Sequence, residues 1–465
     1  MKPPKRILFL NPPGEKIYIR DYYCSKVSKA YYLPQPVDLL IQSSFFNESD
    51  YNILVMDCIA ENKPELLALQ KIKEFSPHYI IGLIGSVSLL EDQIFYSKVK
   101  IQNPSTIIAC SGDALLEKFQ EKFKKYDWLT AIITNFFKDG FKRFIEKDER
   151  IDGLVYYYQN KLIVQSDKGS KPINMGIPKQ HLFKGNYRMP FANATPIATI
   201  LTNYACPYPC TFCIMSSLPY TTRTANSIIK ELKYLKEKGY QFLYFSDQTF
   251  FQSKSITTEI LNWMIDTNYG LKWMCFSRVD VLSEKELKLM KKAGCTLIMF
   301  GVEWAEDKLL SHYKKQYTTQ QIETTFALSK KLGIRRLGTF LLGVPGQTKE
   351  SILNTIRFAK KIEADYASFN IAVPRSNTSF RTEALKQGLI DESLEVMDQS
   401  GNEVTIGTGV LSKNELEKLK RKAYKSFYFR PKYIFKRLIN ITNWTEFKIH
   451  LKEGFYILKG ALKTK

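Results

Sequence analysis

Histidine is scarce in this chain, four in 465 residues. His78, His181, His312 and His450 stand in no ligand spacing, so no histidine-based metal centre is legible. No apolar run approaches the roughly 20 residues of a membrane-spanning helix. Low-complexity tracts and repeats of fixed period are missing too, which excludes fibrous and solenoid architectures. Near the amino terminus only Ile7 to Leu10 precede Asn11-Pro12-Pro13, too short a core for a secretory signal, and a cytoplasmic protein is expected. In that compartment eight cysteines read as metal ligands or buried thiols rather than disulfides.

What is present is an ordinary globular composition, 44% hydrophobic and 25% charged, long enough for two or three folding units. The net charge of +22 calls for an anionic partner without choosing among nucleic acid, phosphorylated substrate and acidic lipid.

Residues 1–150 alternate β-rich runs (Ile7–Leu10, Asn52–Met56, Tyr79–Ile84, Thr106–Ala109, Leu129–Thr134) with helical stretches, among them Ala114–Lys125 and Phe136–Glu146. This is the pattern of a parallel, Rossmann-like α/β sheet. Ligands bind beyond the carboxyl ends of such strands, which puts Asn11, Pro12, Ser86, Ser111 and Gly112 on one rim. Residues 151–195 hold a hairpin, Leu154–Tyr158 with Leu162–Gln165, and a polar linker. Residues 196–390 carry six further βα units, a partial barrel with function at the carboxyl ends of its strands. Residues 391–465 lose the alternation and form a mainly helical basic region.

After the first strand of the second series comes Cys206-Pro207-Tyr208-Pro209-Cys210-Thr211-Phe212-Cys213. Three thiolates on one short loop can bind three irons of a 4Fe-4S cluster and leave the fourth open. Structural zinc takes four ligands, and no fourth Cys or His stands nearby. The scattered Cys24, Cys58, Cys110, Cys275 and Cys295 read as buried small hydrophobes, with Cys275, one strand from the loop, the candidate hydrogen-atom donor.

The loop resembles the Cys-x3-Cys-x-aromatic-Cys signature of the radical S-adenosylmethionine (SAM) superfamily, with Phe212 as the aromatic. Phe245 to Phe250, Phe276 to Asp280, Gly294-Cys295, Phe300 to Glu303 and Thr339 to Thr348 are similar to segments of its cobalamin-binding branch, which includes cobalamin-dependent methylases. The resemblance implies a 4Fe-4S cluster on Cys206, Cys210 and Cys213, reductive cleavage of SAM to a 5′-deoxyadenosyl radical, and C-methylation of an unactivated carbon. The alternative is a radical cyclase, coupling enzyme or oxidoreductase without cobalamin. It further implies that Phe212, Gly343, Val344 and Pro345 flank the adenine, that Asp247, Ser277, Arg278 and Glu303 meet the polar groups of SAM, and that flavodoxin or ferredoxin donates the electron. The plainer readings are an ion pair of Arg278 with Asp280 or Glu303, and a loop-capping Asp247.

The first 150 residues resemble the branch's cobalamin-binding domain, opening Leu8-Phe9-Leu10-Asn11-Pro12-Pro13. They depart from it: no Asp-x-His-x-x-Gly loop is present, the glycine pair after the fourth strand reads Ser111-Gly112, and Phe136-Phe137 stand where glycines are expected. Cobalamin is expected on this rim, with an empty domain covering the barrel as the alternative.

Between residues 413 and 465, fifteen Lys and Arg face four Glu. Arg430, Lys432, Lys436 and Arg437 alternate with Phe429, Tyr433, Ile434 and Phe435, and Trp444, Phe447, Phe455, Tyr456 and Ile457 follow. The stretch reads as a helical lid, or as a helix on an anionic membrane surface delivering a hydrophobic small molecule or lipid. The resemblance favours membrane over nucleic acid.

Overall fold

A computed structural model of the protein describes residues 4–21, 32–148, 151–165, 171–395, 398 and 404–439, the last four without their side-chain environment. Cys24, His450 and the aromatics from Trp444 onward lie outside the described residues, as do the side chains of Lys436 and Arg437.

The first sheet runs β1 (Lys5–Asn11), β2 (Tyr51–Asp57), β3 (Tyr79–Leu83), β4 (Ile107–Ser111), β5 (Ala131–Ile133), β6 (Leu154–Tyr158) and β7 (Lys161–Val164), in the spatial order β2-β1-β3-β4-β5-β6-β7. Five strands are parallel, and the β6–β7 hairpin adds antiparallel to β5. The hairpin is therefore the edge of this sheet and not part of a linker. Alternate residues of β1 enter different cores, Ile7 and Phe9 on one face, Leu8 and Leu10 on the other. Coverage on both faces is why these strands read as unbroken apolar runs.

Two expected helices begin late. Ala114–Lys125 is split into a 3-10 turn (Asp113–Leu115) and a helix (Phe119–Lys125), because Lys118 takes a left-handed conformation, φ 52°. The other begins at Gly140, since the Asn135 side chain accepts from the Phe137 amide and turns the chain so that Phe136 and Phe137 leave the helix path.

The second sheet is wholly parallel. Its strands are β8 (Ile197–Ile200), β11 (Phe242–Phe245), β12 (Lys272–Ser277), β13 (Cys295–Glu303), β14 (Arg335–Leu342) and β15 (Tyr366–Ile371), in the order β15-β14-β13-β12-β11-β8. Between β8 and β11 a two-residue ladder pairs β9 (Asn203–Tyr204) with β10 (Thr221–Thr222). One face packs on the helices; the other holds Tyr244, Met274, Leu297 and Met299. At the amino ends of the strands the 189–194 segment closes that face, Phe191 lying on Tyr366 with ring centroids 4.0 Å apart.

An open sheet leaves two edges, and both are covered by side chains, which blocks edge-to-edge pairing. At β8, Gln35 accepts from the Thr199 amide (2.9 Å) and Gln180 donates to its carbonyl (2.7 Å). At β15, Tyr428 of helix Lys413–Tyr428 accepts from the Ala367 amide and donates to its carbonyl, while Tyr424 and Tyr433 donate to Phe369 and Asp365 carbonyls. The carboxyl-terminal helices complete the partial barrel.

Candidate active site at the cysteine loop

The β9–β10 ladder brackets the loop, so both ends of the Cys206–Cys213 segment are anchored to each other. The loop then rests on both domains. Tyr204, Ala205, Ile214 and Met215 are buried in the core of the amino-terminal domain, and Thr211 bonds Tyr313 and Phe380 of the barrel through the backbone. Ser216 donates to the carbonyls of Cys210 and Cys213. None of the three cysteines forms a disulfide; Cys210 is buried, while Cys206 and Cys213 are partly open.

Among the described residues no three His, Cys, Asp or Glu side chains converge on a single ion. Such convergence is what a mononuclear site requires. The thiolates of a 4Fe-4S cluster each bind a separate iron, so three cysteines spaced along one anchored loop and outside any disulfide fit a cluster.

Two buried cations stand beside the loop. The Arg278 guanidinium lies 3.5 Å from the Tyr208 ring centroid, bonds both oxygens of Asp280 (2.9 and 2.8 Å) and the Lys315 carbonyl (2.6 Å), and donates to Cys210 Sγ at 3.6 Å. Lys315 pairs with Glu303 at 3.0 Å and sits 5.6 Å from the Phe212 ring centroid. Burial, the largest single influence, pulls the pKa of Lys315 down, but Glu303, Tyr317 and Cys210 together pull it up further, and the net shift is upward, so the ammonium stays charged. The sequence offered Asp280 and Glu303 as alternative partners of Arg278, and the structure takes Asp280. The sequence missed Lys315, which arrives on a loop whose only local mark is its tyrosines.

Several expected SAM contacts are engaged elsewhere. Arg278 is spent as just described, Glu303 is held by Lys315, and Ser277 donates to the Phe250 carbonyl (2.8 Å). Gly343 donates its amide to Gln347 (2.7 Å), whose own amide bonds the Val344 carbonyl, folding Gly343-Val344-Pro345 into a tight turn. Phe212 packs edge-on against Trp304, 5.5 Å between centroids. Cys275 is a correction: it is fully buried beside Cys295 in the core beneath the helices, in step with Trp273, whereas Met274 and Phe276 take the opposite face. Strand alternation turns its thiol away from the face that a substrate can reach.

Asp247 holds the loop's approach. Its carboxylate accepts from the Thr202 amide (2.7 Å), the Thr202 hydroxyl (2.8 Å) and the Asn203 amide (3.0 Å), which fixes the step from β8 into β9. Loss of hydration by burial nevertheless raises its pKa to about 7. A raised carboxylate contributes stability that is complete below the unfolded value near 4 and is lost as pH rises through 7. Asp247→Asn removes this titration, so the unfolding free energy of the variant, measured anaerobically by urea, should decline less between pH 4 and 7, by up to about 1.4 kcal/mol per pH unit. Parallel pH profiles for the two proteins would refute a perturbed Asp247.

The amino-terminal rim faces this site. Phe136 and Phe137 pack on Tyr204 (4.8 and 5.7 Å between centroids), and the Tyr204 hydroxyl donates to the Thr134 carbonyl. Arg375, beyond β15, reaches Asp113 at 3.4 Å, and Asn377 donates to the Leu116 carbonyl. On the rim Asn11 joins Asp57 and Arg20, Pro12 accepts from Arg20, Ser86 donates its amide and hydroxyl to Asp113, and Ser111 bonds Asp38. Gly112 has φ 142°, and a Cβ there would lie 1.8 Å from the Ile84 carbonyl oxygen. The described histidines bond elsewhere: His78 to Arg6, His181 to Tyr234, and His312 lies near Glu383.

In the carboxyl-terminal region Tyr433 is docked on β15, and Arg430 lies over Phe427 (4.5 Å) with its Nε bonded to the Phe427 carbonyl. Two residues expected to face a lipid surface are thus used on the barrel; Phe429, Ile434 and Phe435 remain exposed. No helix among the described residues is long and apolar enough to cross a membrane.

The fold and the loop define a radical SAM domain, and residues 200–359 match the radical SAM superfamily. The match assigns those residues to a radical SAM domain. An uncharacterized methyltransferase of Pyrococcus horikoshii is 27% identical over 423 residues, 86% of this chain and 89% of that protein. An anaerobic magnesium-protoporphyrin IX monomethyl ester cyclase of Rubrivivax gelatinosus is 28% identical over 183 residues, 37% of this chain and 33% of its own. Among solved structures, the radical SAM methyltransferase TsrM of Kitasatospora setae matches with a TM-score of 0.66 at 15% identity, covering 82% of this chain and 76% of that one. The cobalamin-dependent SAM radical enzyme OxsB matches with a TM-score of 0.65 at 14% identity, covering 98% of this chain and 72% of its own. The shared fold extends across the amino-terminal domain.

Proposed function

We propose that the protein is a cobalamin-dependent radical SAM C-methyltransferase acting on a hydrophobic small molecule or lipid. The observation that carries this reading is the joining of the cysteine loop to the rim of the amino-terminal sheet through Tyr204, Phe136 and Phe137. When bound, a 4Fe-4S cluster supplies the electron that cleaves SAM, and cobalamin carries the methyl group. Cys206, Cys210 and Cys213 hold the cluster, Asp247 fixes the loop's approach, and Arg278 and Lys315 balance the thiolate charge. Phe212, Val344 and the buried rings of Trp304 and Tyr313 keep water from the loop. The rim residues Asn11, Ser86, Ser111 and Gly112 border the space where cobalamin meets the barrel. An apolar substrate suits the sheet face of Met274, Phe276 and Met299, and exposed Phe429, Ile434 and Phe435 suit its collection from an acidic bilayer. Flavodoxin or ferredoxin serves as electron donor.

A second reading is a radical cyclase, coupling enzyme or oxidoreductase without cobalamin. It is favoured by the rim's polar groups, which satisfy one another, and by Phe136 and Phe137, which fill space where glycines would admit a nucleotide tail. Anaerobic purification followed by loading with hydroxocobalamin separates the two. The first predicts about one cobalamin per chain in the visible spectrum after gel filtration, and methyl transfer from labelled SAM. A cobalamin-free chain that still cleaves SAM would establish the second.

A further inference from the structure

We infer that Arg278 is a positioning residue for the cluster itself: it donates a charged hydrogen bond to the Cys210 sulfur and thereby raises the cluster's reduction potential, and it is not a ligand of the SAM carboxylate. The inference rests on the proposed cluster at Cys206, Cys210 and Cys213 and goes beyond it.

The valence of the guanidinium carries the argument. Arginine has five N–H donors in a rigid plane. Nε bonds one Asp280 oxygen at 2.9 Å; Nη2 bonds the other at 2.8 Å and the Lys315 carbonyl at 2.6 Å. Nη1 points at Cys210 Sγ, 3.6 Å away. One N–H is left, too few for the paired bonds by which a guanidinium clasps a carboxylate. The faces are closed as well, with the Tyr208 ring centroid at 3.5 Å and that of Tyr317 at 5.0 Å. Arg278 is 4% exposed, so a ligand has no approach to the Asp280 edge.

The same contacts make it a rigid donor to sulfur. Asp280, the Lys315 carbonyl and the two tyrosine rings fix the plane, and among the described residues the partner of Nη1 is Cys210 Sγ. Reduction adds negative charge to the cluster and its thiolates, so a cationic donor at sulfur stabilises the reduced state over the oxidised one and shifts the potential upward. Lys315, 5.6 Å from the Phe212 ring centroid and neutralised by Glu303, supplies a weaker field.

The test uses the full chain with its cluster reconstituted anaerobically. Protein grown with 15N-guanidino arginine is reduced and examined by pulsed electron paramagnetic resonance. A resolved 15N coupling to the cluster is expected in the wild type and its loss in Arg278→Lys. Redox titration should give midpoint potentials in the order wild type, Arg278→Lys, Arg278→Gln, the last the most negative, at equal iron and sulfide content. SAM affinity, read by calorimetry, should change less than twofold in Arg278→Lys. A wild-type cluster without 15N coupling overturns the inference, and that measurement decides the matter even where a variant fails to fold. Unchanged potentials in fully loaded variants, or a loss of SAM binding with the potential intact, overturn it too. A wild-type chain that takes up no iron would instead sink the cluster reading on which the inference rests.

Discussion

Replacement of any one of Cys206, Cys210 and Cys213 by Ala is expected to abolish iron and sulfide incorporation and 5′-deoxyadenosine formation together. The cluster needs three protein thiolates so that the fourth iron stays open to SAM, and alanine offers no ligand. Among the described residues no other cysteine offers a substitute, since Cys58, Cys110, Cys275 and Cys295 are buried in apolar cores. The fold should survive. Cys206 and Cys213 are partly open, and the loop is held by β9–β10 pairing, Asp247 and Ser216 rather than by the thiols. The Cys210 variant should be the least stable of the three, because it also strands an Arg278 N–H in a buried site, a loss of about 1–3 kcal/mol. Iron and sulfide assays with circular dichroism on the same samples check this. SAM cleavage retained by any of the three variants would rule out the ligand assignment.

Gly112→Ala should be the most damaging single-methyl change in the amino-terminal domain. At φ 142° and ψ 164° the residue occupies backbone space open essentially to glycine. A methyl group there would also sit 1.8 Å from the Ile84 carbonyl oxygen, a backbone atom that cannot rotate aside. Strain and overlap together are worth about 3–5 kcal/mol. Because Ser111 and Asp113 flank the site, relief would pull apart the Ser111–Asp38 and Asp113–Ser86 bonds and the Arg375 contact across the domains. Urea unfolding should show the loss, and hydroxocobalamin uptake should fall while cluster content, built on the other domain, persists. Wild-type stability in this variant would refute the close approach of β3 and β4 exits.

The strands could be read from the chain because each is a run of residues buried on both faces; Tyr79–Leu83 is buried at every position. Where a single backbone conformation interrupts the pattern, reading stops: Lys118 in the left-handed region breaks a helix whose composition continues through it. The hairpin was visible from its own alternation. Its place beside β5 was not, because strand pairing is set by contacts between segments and leaves no mark within either one.

For the site, the three cysteines were legible as a candidate cluster loop because their spacing is contained in eight residues. The sequence left Arg278 open among SAM, Asp280 and Glu303, and the structure pairs it with Asp280. Only the tertiary structure decided that Cys275 faces the helices, that Asp247 anchors the loop, and that Arg278 has one free Nη1 edge and turns it to Cys210. The reason is valence. A buried polar group has a fixed number of donors and acceptors, each of which must find a partner. Those partners, such as Lys315 for Arg278 and Thr202 for Asp247, are brought together from distant parts of the chain by the crossing of the strands.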